Sequence, residues 1–247
     1  MTIKQNILKA QSNSQKLFAV LIDPDKIDSH TLPALIQRAV DAKVDLFFLG
    51  GSLLTKDVLE AVAKQIKSAC SIPVILFPGN GMQVTKEADA ILFLSLISGR
   101  NPDLLIGQHV QSAPIVKQSG LEVLPTGYML IDGGAATTVS YISNTLPIPA
   151  NKPDIAACTA MAGEMLGLSL FYLDAGSGAK EPVNSALIQK VKASIQSPII
   201  VGGGIRSTSQ AIETCKAGAD IIVVGNAIEK DPSLLNEIAA AIHQVNA

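Results

Sequence analysis

Short runs of aliphatic, β-branched and aromatic residues recur along the chain, and a stretch with helical spacing of apolar positions follows most of them. Most of these runs are apolar at every position rather than at alternate positions. This pattern indicates parallel strands that are buried on both faces. The eight predicted strands span residues 17–22, 44–49, 73–77, 90–94, 122–130, 168–173, 198–201 and 220–224.

Between the strands, capping residues and apolar periodicity predict seven helices. The segment 79–87, after the third strand, is short and glycine-rich, and it predicts a loop with one turn instead of a helix. The longest connection, 132–153, is of a length that is usually functional or mobile. The helices span residues 31–42, 55–69, 101–117, 155–166, 184–195, 207–217 and 232–245.

This alternation of strand and helix over 247 residues predicts the α/β class. The number of strands and the length fit a single (β/α)8 TIM barrel of eight parallel strands, modified where the third helix is missing. One domain over residues 1–247 is expected, because no change of composition marks a boundary. A doubly wound open sheet is the alternative.

Composition narrows the class of protein. Hydrophobic residues make up 48% and charged residues 16%, below the roughly 25% that is usual in soluble domains, which excludes intrinsic disorder. No apolar run approaches the ~20 residues that cross a bilayer, and the first sixteen residues lack the apolar core of a secretory signal. We therefore expect a cytoplasmic protein without a transmembrane segment, and the apolar composition favours a homo-oligomer.

The net charge and the positions of cysteine and histidine argue against a nucleic-acid-binding protein, a dithiol redox protein and a zinc protein. The net charge of −2 has no block of like sign, so nucleic acid is not an expected partner. The three cysteines are too far apart for a redox pair or a zinc site, and we expect buried structural thiols. No chemistry is assigned to the three histidines. The cysteines are Cys70, Cys158 and Cys215, and the histidines are His30, His109 and His243.

Glycines follow the last two predicted strands. Gly203 and Gly204 end strand seven, and Gly225-Asn226 ends strand eight. Glycine lets the backbone approach an anion closely, and the loops after strands seven and eight form the phosphate site of many barrels. The two glycine-containing loops together predict a phosphate cradle. In this cradle, a side chain introduced at Gly204 would project toward the phosphate. A plain tight turn is the alternative for the first loop.

Acidic residues end two other strands. Asp23 and Asp25 follow strand one, and Ser52 follows strand two; carboxylates beside a hydroxyl suit Mg²⁺. The alternative is that Asp23 or Asp25 caps the following helix.

In strand six, alternation turns Tyr172 and Asp174 toward the barrel interior and Leu173 toward the helices. A carboxylate at a barrel mouth beside a phosphate site is a candidate general base. The alternative is an aspartate that caps the next loop. Ser177 either adds donors to the phosphate or lies in a flexible turn.

Several motifs in this order resemble one family over nearly the whole chain, the geranylgeranylglyceryl phosphate synthases and their heptaprenyl-transferring bacterial relatives. Pro125-Thr126-Gly127-Tyr128 and Pro147-Ile148-Pro149 are similar to the larger branch, which uses the twenty-carbon donor. The other motifs are Ile22-Asp23-Pro24-Asp25-Lys26, Gly50-Gly51-Ser52, Phe77-Pro78-Gly79-Asn80, Ser98-Gly99-Arg100-Asn101-Pro102, Tyr172 through Gly178, Gly202-Gly203-Gly204-Ile205 and Gly225-Asn226.

The resemblance implies a modified barrel and a prenyltransferase of lipid biosynthesis. Its reaction joins the C3 hydroxyl of sn-glycerol 1-phosphate to geranylgeranyl diphosphate and releases diphosphate. It implies Asp23 and Ser52 as ligands of Mg²⁺, and Asp174 as the base, where the family usually has glutamate. The implied glycerol phosphate site comprises Tyr172, Leu173, Asp174, Ala175, Gly176, Ser177, Gly178, Gly203, Gly204, Gly225 and Asn226.

Three alternatives stay open on the sequence. The donor could be longer, as in a heptaprenylglyceryl phosphate synthase. A phosphosugar isomerase or aldolase is a second possibility, but a Schiff-base aldolase needs a lysine at a strand end, and neither Lys26 nor Lys180 is so placed. The third is a barrel that binds a phosphate metabolite without catalysis, which would need no strand-end carboxylates.

Overall fold

The computed structural model describes residues 1–246, and in this range eight parallel strands close into a barrel in sequence order, with β8 pairing back onto β1. The predicted barrel is thereby confirmed, and the open-sheet alternative is excluded. The strands are β1 (Leu17–Ile22), β2 (Leu46–Leu49), β3 (Val74–Leu76), β4 (Ala90–Leu96), β5 (Glu122–Leu130), β6 (Leu170–Asp174), β7 (Ile199–Gly202) and β8 (Ile221–Val224).

The side chains of each strand alternate between two apolar layers. On β6, Leu170 and Tyr172 pack inside the barrel, whereas Phe171 and Leu173 pack between the barrel and the helices. Burial on both faces explains why the strands are apolar at consecutive positions.

The predicted helices are present with shifted ends, and the largest shift is at α4, which was expected from residue 101 and begins at Gln108. Three short or terminal helices were not predicted: α1, α5 and α9. The helices are α1 (Ile3–Ser12), α2 (Leu32–Asp41), α3 (Leu59–Ala69), α4 (Gln108–Ser119), α5 (Thr138–Ile142), α6 (Pro153–Met165), α7 (Ser185–Lys192), α8 (Thr208–Ala217), α9 (Asn226–Lys230) and α10 (Leu234–Val245).

Helix α1 closes the amino-terminal end of the barrel. Its side chains Ile7 and Ala10 belong to the interior apolar layer. The carboxylate of Glu122, at the start of β5, accepts hydrogen bonds from the backbone N–H groups of Ile3 and Lys4 at 2.7 and 2.9 Å. An anionic acceptor at the first turn satisfies donors that have no partner within the helix.

No helix lies between β3 and β4, as predicted for residues 79–87. The following connection is also irregular, because a π-helical segment, Asp103–Gly107, leads into α4. The barrel wall at β3 and β4 is therefore covered by loops and by α4.

The long connection after β5 is partly ordered by the sheet. Ile148 forms an isolated parallel bridge with Ile131, and its backbone N–H donates to the Leu130 carbonyl at 2.8 Å. Helix α5 lies within the same connection. The Pro-Ile-Pro segment thus extends the barrel edge beside β5.

The three cysteines differ in exposure. Cys215 is buried and Cys70 half-buried, but Cys158 is exposed, so the expectation of buried thiols is wrong for Cys158, which lies on the outer side of α6. Across residues 1–246, no helix combines the length and apolarity needed to cross a membrane.

Candidate active site

A cavity of about 530 Å³ lies at the carboxyl ends of the strands, where the loops after β1, β2, β6, β7 and β8 meet. It brings together most of the site residues predicted from the sequence. Those lining it are Asp23, Ser52, Tyr172, Asp174, Gly176, Ser177, Gly178, Gly203, Gly204, Gly225 and Asn226. Leu173 and Ala175 are the exceptions, because their side chains pack in the apolar layer outside the barrel.

The glycine-rich loops after β6, β7 and β8 form one wall of the cavity. The side-chain amide of Asn226 donates to the Ser177 hydroxyl at 2.8 Å, which joins the loop after β8 to the loop after β6. The Arg206 guanidinium donates to the carbonyls of Ala179 and Lys180 and so fixes the same loop from the β7 side. The wall therefore exposes backbone and small polar groups, as a phosphate cradle requires.

The glycines of this wall have packing reasons that the sequence did not reveal. At Gly203, with φ +81°, a Cβ would lie 2.8 Å from Asp174 Oδ1 and 2.7 Å from the Gly176 nitrogen. At Gly204, with φ +75°, it would meet the backbone of Glu181 and Pro182 at 2.8 Å. The expectation that a side chain at Gly204 would project toward the phosphate is therefore wrong, because its Cβ direction leads into the neighbouring loop.

Asp174 ends β6 with its carboxylate turned into the barrel mouth, as strand alternation predicted. Its Oδ2 accepts a 2.5 Å hydrogen bond from the Tyr128 phenol, and its Oδ1 accepts one of 2.7 Å from the Gly176 N–H. Burial raises the pKa of Asp174, and these two hydrogen bonds oppose that rise. The carboxylate is thus held in place, and its proton affinity exceeds that of a free aspartate.

An aromatic cluster lies beside Asp174. The rings of Phe77 and Tyr172 stack at a centroid distance of 4.9 Å, and Tyr128 meets Tyr172 edge-on at 5.6 Å. Burial, and then the nearby Asp174 charge, raise the pKa of Tyr128 well above its ordinary value, so its phenol stays a proton donor. The sequence showed Tyr128 only as part of a family motif, and its contact with Asp174 was not predicted.

Asp23 faces the same cavity from the loop after β1. Its Oδ2 lies 2.8 Å from Lys26 Nζ, and its Oδ1 accepts from the Asp25 N–H at 3.1 Å. Ser52 also lines the cavity. Neither aspartate caps a helix, since α2 begins after Thr31. Within the described part of the chain, no cluster of three or more His, Cys, Asp or Glu side chains could hold a metal, so a bound ion would depend on substrate oxygens as well.

Asp25 has a structural role. Its carboxylate accepts from the Thr55 N–H at 2.5 Å, from the Thr55 hydroxyl at 2.8 Å and from the Lys56 N–H at 3.1 Å. The Thr55 N–H is the main cause that lowers the pKa of Asp25. Asp25 therefore joins the loop after β1 to the loop after β2, and its oxygens are not free to bind a metal.

A second cavity, of about 140 Å³ and mostly apolar, adjoins the first and shares Gly51, Ser52 and Phe77 with it. It extends between β4, the loop after β3 and the inner face of α4. The other residues that line it are Pro78, Gly79, Asn80, Gly81, Val84, Ile91, Leu92, Phe93, Leu94, Leu96, Leu104, Gln108, His109, Ser112, Val116, Tyr128, Val139, Ile142 and Ser143.

His109 lines this apolar cavity from α4. Its ring meets Phe93 edge-on at 4.6 Å, and its Nε2 lies 3.3 Å from the Ser95 hydroxyl. Its Nδ1 has no hydrogen-bond partner among residues 1–246. Burial lowers the pKa of His109, so the ring is neutral at neutral pH and compatible with an apolar ligand.

Comparisons with known proteins agree with this geometry. The model of the PcrB family matches residues 10–244. A geranylgeranylglyceryl phosphate synthase of Chitinophaga pinensis is 58% identical over 98% of this chain and 96% of its own, and one of Methanothermobacter marburgensis is 42% identical over 91% of each.

Among solved structures, the (S)-3-O-geranylgeranylglyceryl phosphate synthase of Thermoplasma acidophilum, in complex with its substrate sn-glycerol-1-phosphate, superimposes with a TM-score of 0.93. It is 30% identical to this chain, and the match covers 99% of both chains. The family model and these relatives each span nearly the whole sequence. The chain therefore belongs to the PcrB family, the family of the geranylgeranylglyceryl phosphate synthases.

Proposed function

We propose that this protein is a geranylgeranylglyceryl phosphate synthase. It transfers the geranylgeranyl group of geranylgeranyl diphosphate to the C3 hydroxyl of sn-glycerol 1-phosphate and releases diphosphate. The observation that carries the proposal is the position of the Asp174 carboxylate, between the glycine cradle and the apolar cavity that Tyr128 lines. The proposed base, Asp174, thus lies next to both the proposed phosphate site and the apolar cavity.

The glycine cradle suits the phosphate of the acceptor. Gly203, Gly204, Gly225 and Asn226 line the polar cavity together with Ser177, and the backbone at these positions approaches a ligand without side chains in the way. A phosphate held here leaves the glycerol hydroxyls directed toward the centre of the barrel mouth, where Asp174 and Tyr172 lie. Leu173 and Ala175 would contribute backbone groups to this site, and the Ala175 N–H donates to the Gly202 carbonyl at 3.1 Å.

Asp174 is the proposed base. As the C3 oxygen bonds to C1 of the allylic donor, the bond from C1 to the diphosphate oxygen breaks and its electron pair leaves with the diphosphate. The C3 hydroxyl proton passes to the Asp174 carboxylate. The hydrogen bonds from Tyr128 and Gly176 keep that carboxylate oriented through the transfer.

Asp23 and Ser52 are the proposed protein ligands of Mg²⁺. These two residues fit the ion, because the Asp23 carboxylate and the Ser52 hydroxyl both line the cavity. They leave most coordination positions to diphosphate oxygens and water, as Mg²⁺ prefers. When bound, Mg²⁺ would neutralise charge on the departing diphosphate.

The apolar cavity is the proposed site of the donor's tail. Its volume of about 140 Å³ is below the roughly 300–1,000 Å³ of typical ligand pockets, so its walls must move apart when the tail enters. A wall built from loops and α4, without a helix after β3, allows such movement. Enclosure by the tail also keeps water from the positive charge that develops on C1 of the donor.

The alternatives predict different products. The protein would be incubated with Mg²⁺, sn-glycerol 1-phosphate and prenyl diphosphates from ten to thirty-five carbons, and the ether product followed by mass spectrometry. We expect product with the twenty-carbon donor. A preference for the thirty-five-carbon donor would instead support a heptaprenyl transferase, and binding of glycerol phosphate without product from any donor would support a non-catalytic barrel. A cytoplasmic location and self-association are part of the proposal, and sedimentation of the purified protein tests the latter.

A further inference from the structure

Lys26 lies between the proposed metal site and the proposed phosphate cradle. Its ammonium is 2.8 Å from Asp23 Oδ2, 3.5 Å from Asn226 Oδ1 and 3.9 Å from Glu229 Oε2. Asp23 belongs to the loop after β1, whereas Asn226 and Glu229 belong to α9, after β8. One flexible cation therefore touches both halves of the polar cavity.

The cradle itself carries no cation. Its glycines, Ser177 and Asn226 offer dipoles only, and Arg206 lines the cavity but donates its guanidinium to the Ala179 and Lys180 carbonyls. Glu229 adds a carboxylate near the same wall, which would repel a phosphate dianion. Two lysines, Lys26 and Lys230, line the cavity beside the cradle, and Lys26 contacts the cradle residue Asn226.

Lys26 and a divalent metal ion would compete for the carboxylate of Asp23. A carboxylate that is paired with an ammonium binds a divalent cation less well, because the metal must displace or oppose the lysine charge. Once a metal occupies Asp23, the ammonium loses its nearest partner. Its next neighbours, Asn226 and Glu229, lie on the phosphate side, and the side chain of Lys26 is half-exposed and free to move there.

From this geometry we infer that Lys26 is a shared cation of the two substrate sites. Without ligands it pairs with Asp23, and with metal bound at Asp23 it turns to the phosphate of the acceptor held beside Asn226. This inference rests on the proposed function, since it takes the acceptor to be a glycerol phosphate. It makes Lys26 a binding residue for the acceptor and an inhibitor of premature metal binding.

The test measures two affinities in one variant. In Lys26→Gln with Mg²⁺ at saturating concentration, we expect sn-glycerol 1-phosphate to bind roughly tenfold more weakly or worse by calorimetry, because a charge-assisted hydrogen bond is lost. We expect Mn²⁺, a paramagnetic substitute for Mg²⁺, to bind about two- to fivefold more tightly by electron paramagnetic resonance, because Asp23 has lost its partner. Lys26→Arg, which keeps the charge, should stay close to the unmodified protein in both measurements.

A weaker affinity for sn-glycerol 1-phosphate together with a stronger affinity for Mn²⁺ distinguishes this role of Lys26 from a structural one. Lys56→Gln is the matched control, because it removes the same charge from a lysine that does not line the cavity and whose ammonium donates to the Asp25 carbonyl. Weakening of both affinities in Lys26→Gln would indicate collapse of the site and overturn the inference, as would two unchanged affinities. If the unmodified protein does not bind sn-glycerol 1-phosphate at all, the proposed function fails instead.

Discussion

The phenol of Tyr128 on β5 donates a 2.5 Å hydrogen bond to the carboxylate of Asp174 on the neighbouring strand β6. The register of the two strands makes this bond possible. Tyr128 lies opposite Tyr172, and Asp174 follows two residues later, so all three side chains share the interior face. Tyr128 also lines the apolar cavity, and its bond to Asp174 therefore links the proposed site of the prenyl tail to the proposed base.

This bond should set the pH dependence of the reaction. Burial raises the pKa of Asp174 and the Tyr128 bond lowers it, so the acid limb of kcat/KM should lie above the value of about 3.9 for a free aspartate. Only the ionised base accepts a proton, so activity rises as pH rises through this pKa. In Tyr128→Phe the lowering contribution is lost, and the limb should move to higher pH.

The measurement is kcat/KM from pH 4 to pH 8, roughly centred on the second pKa of about 6 of the substrate phosphate. That ionisation belongs to the substrate and is common to both proteins, so only the difference between them reports on Asp174. A limb at the same pH in Tyr128→Phe would show that this hydrogen bond does not control the base.

The identity of the base is tested at Asp174 itself. A general base contributes about 10²–10⁴ in rate, so Asp174→Asn should lower kcat by that factor and leave binding of glycerol phosphate largely intact. Asp174→Glu keeps the charge but moves the carboxylate, which disturbs the bonds to Tyr128 and Gly176. It should be slower than the unmodified enzyme and much faster than Asp174→Asn. Equal rates for the two variants at saturating substrates would remove Asp174 from proton transfer.

Sequence patterns predicted the barrel because the order of apolar strands, turn residues and helices along the chain agrees with the order of elements in the fold. The bounds of β1 and β5 match the prediction, since residues that favour turns lie on both sides of each strand. Helix α1 was missed because its apolar positions are few, and its place depends on Glu122, which is distant in sequence. Loop glycines showed where an anion site lies but not the direction of a Cβ, and the expectation at Gly204 failed for that reason.

Contacts between distant loops were the part of the site that sequence could not predict. The ion pair of Lys26 and Asp23 is local, yet the approach of Lys26 to Asn226 requires the barrel to close between β1 and β8. The bond between Tyr128 and Asp174 likewise depends on strand register. Residue types at strand ends therefore predicted most of the residues that line the cavity, and only the three-dimensional structure showed which residues connect its parts.

Two aspartates of the loop after β1 should respond differently to the same substitution. Asp23→Asn removes the carboxylate that faces the cavity, and we expect kcat to fall by at least about a hundredfold at saturating Mg²⁺, with little change in thermal stability. Asp25→Asn weakens the bonds to Thr55 and Lys56, so we expect a lower Tm and an unchanged Mg²⁺ dependence. Activity titrated with Mg²⁺, together with melting curves, checks both. Full activity of Asp23→Asn at low Mg²⁺ would exclude Asp23 as a metal ligand.

The apolar cavity makes a prediction about donor length. His109, Ser112 and Val116 line it from successive turns of α4, a face about 10 Å long at 1.5 Å rise per residue. Ser112 lies in the middle of this face and close to Gly81, where an added Cβ would be 3.2 Å from the Ser112 Cβ. Ser112→Phe should therefore obstruct the cavity beyond its midpoint while its opening at Gly51, Ser52 and Phe77 stays free.

A long tail should suffer more from this obstruction than a short one. Forcing extra volume into a packed site costs roughly 1–3 kcal/mol, so kcat/KM for the twenty-carbon donor should fall about ten- to a hundredfold in Ser112→Phe, whereas a ten-carbon donor should change little. Val110→Phe is the matched control, because Val110 is exposed on the outer side of the same helix and should show neither effect. Melting curves of both variants separate blocked binding from loss of folding. An equal fall for both donors in a stably folded Ser112→Phe would place the tail outside this cavity.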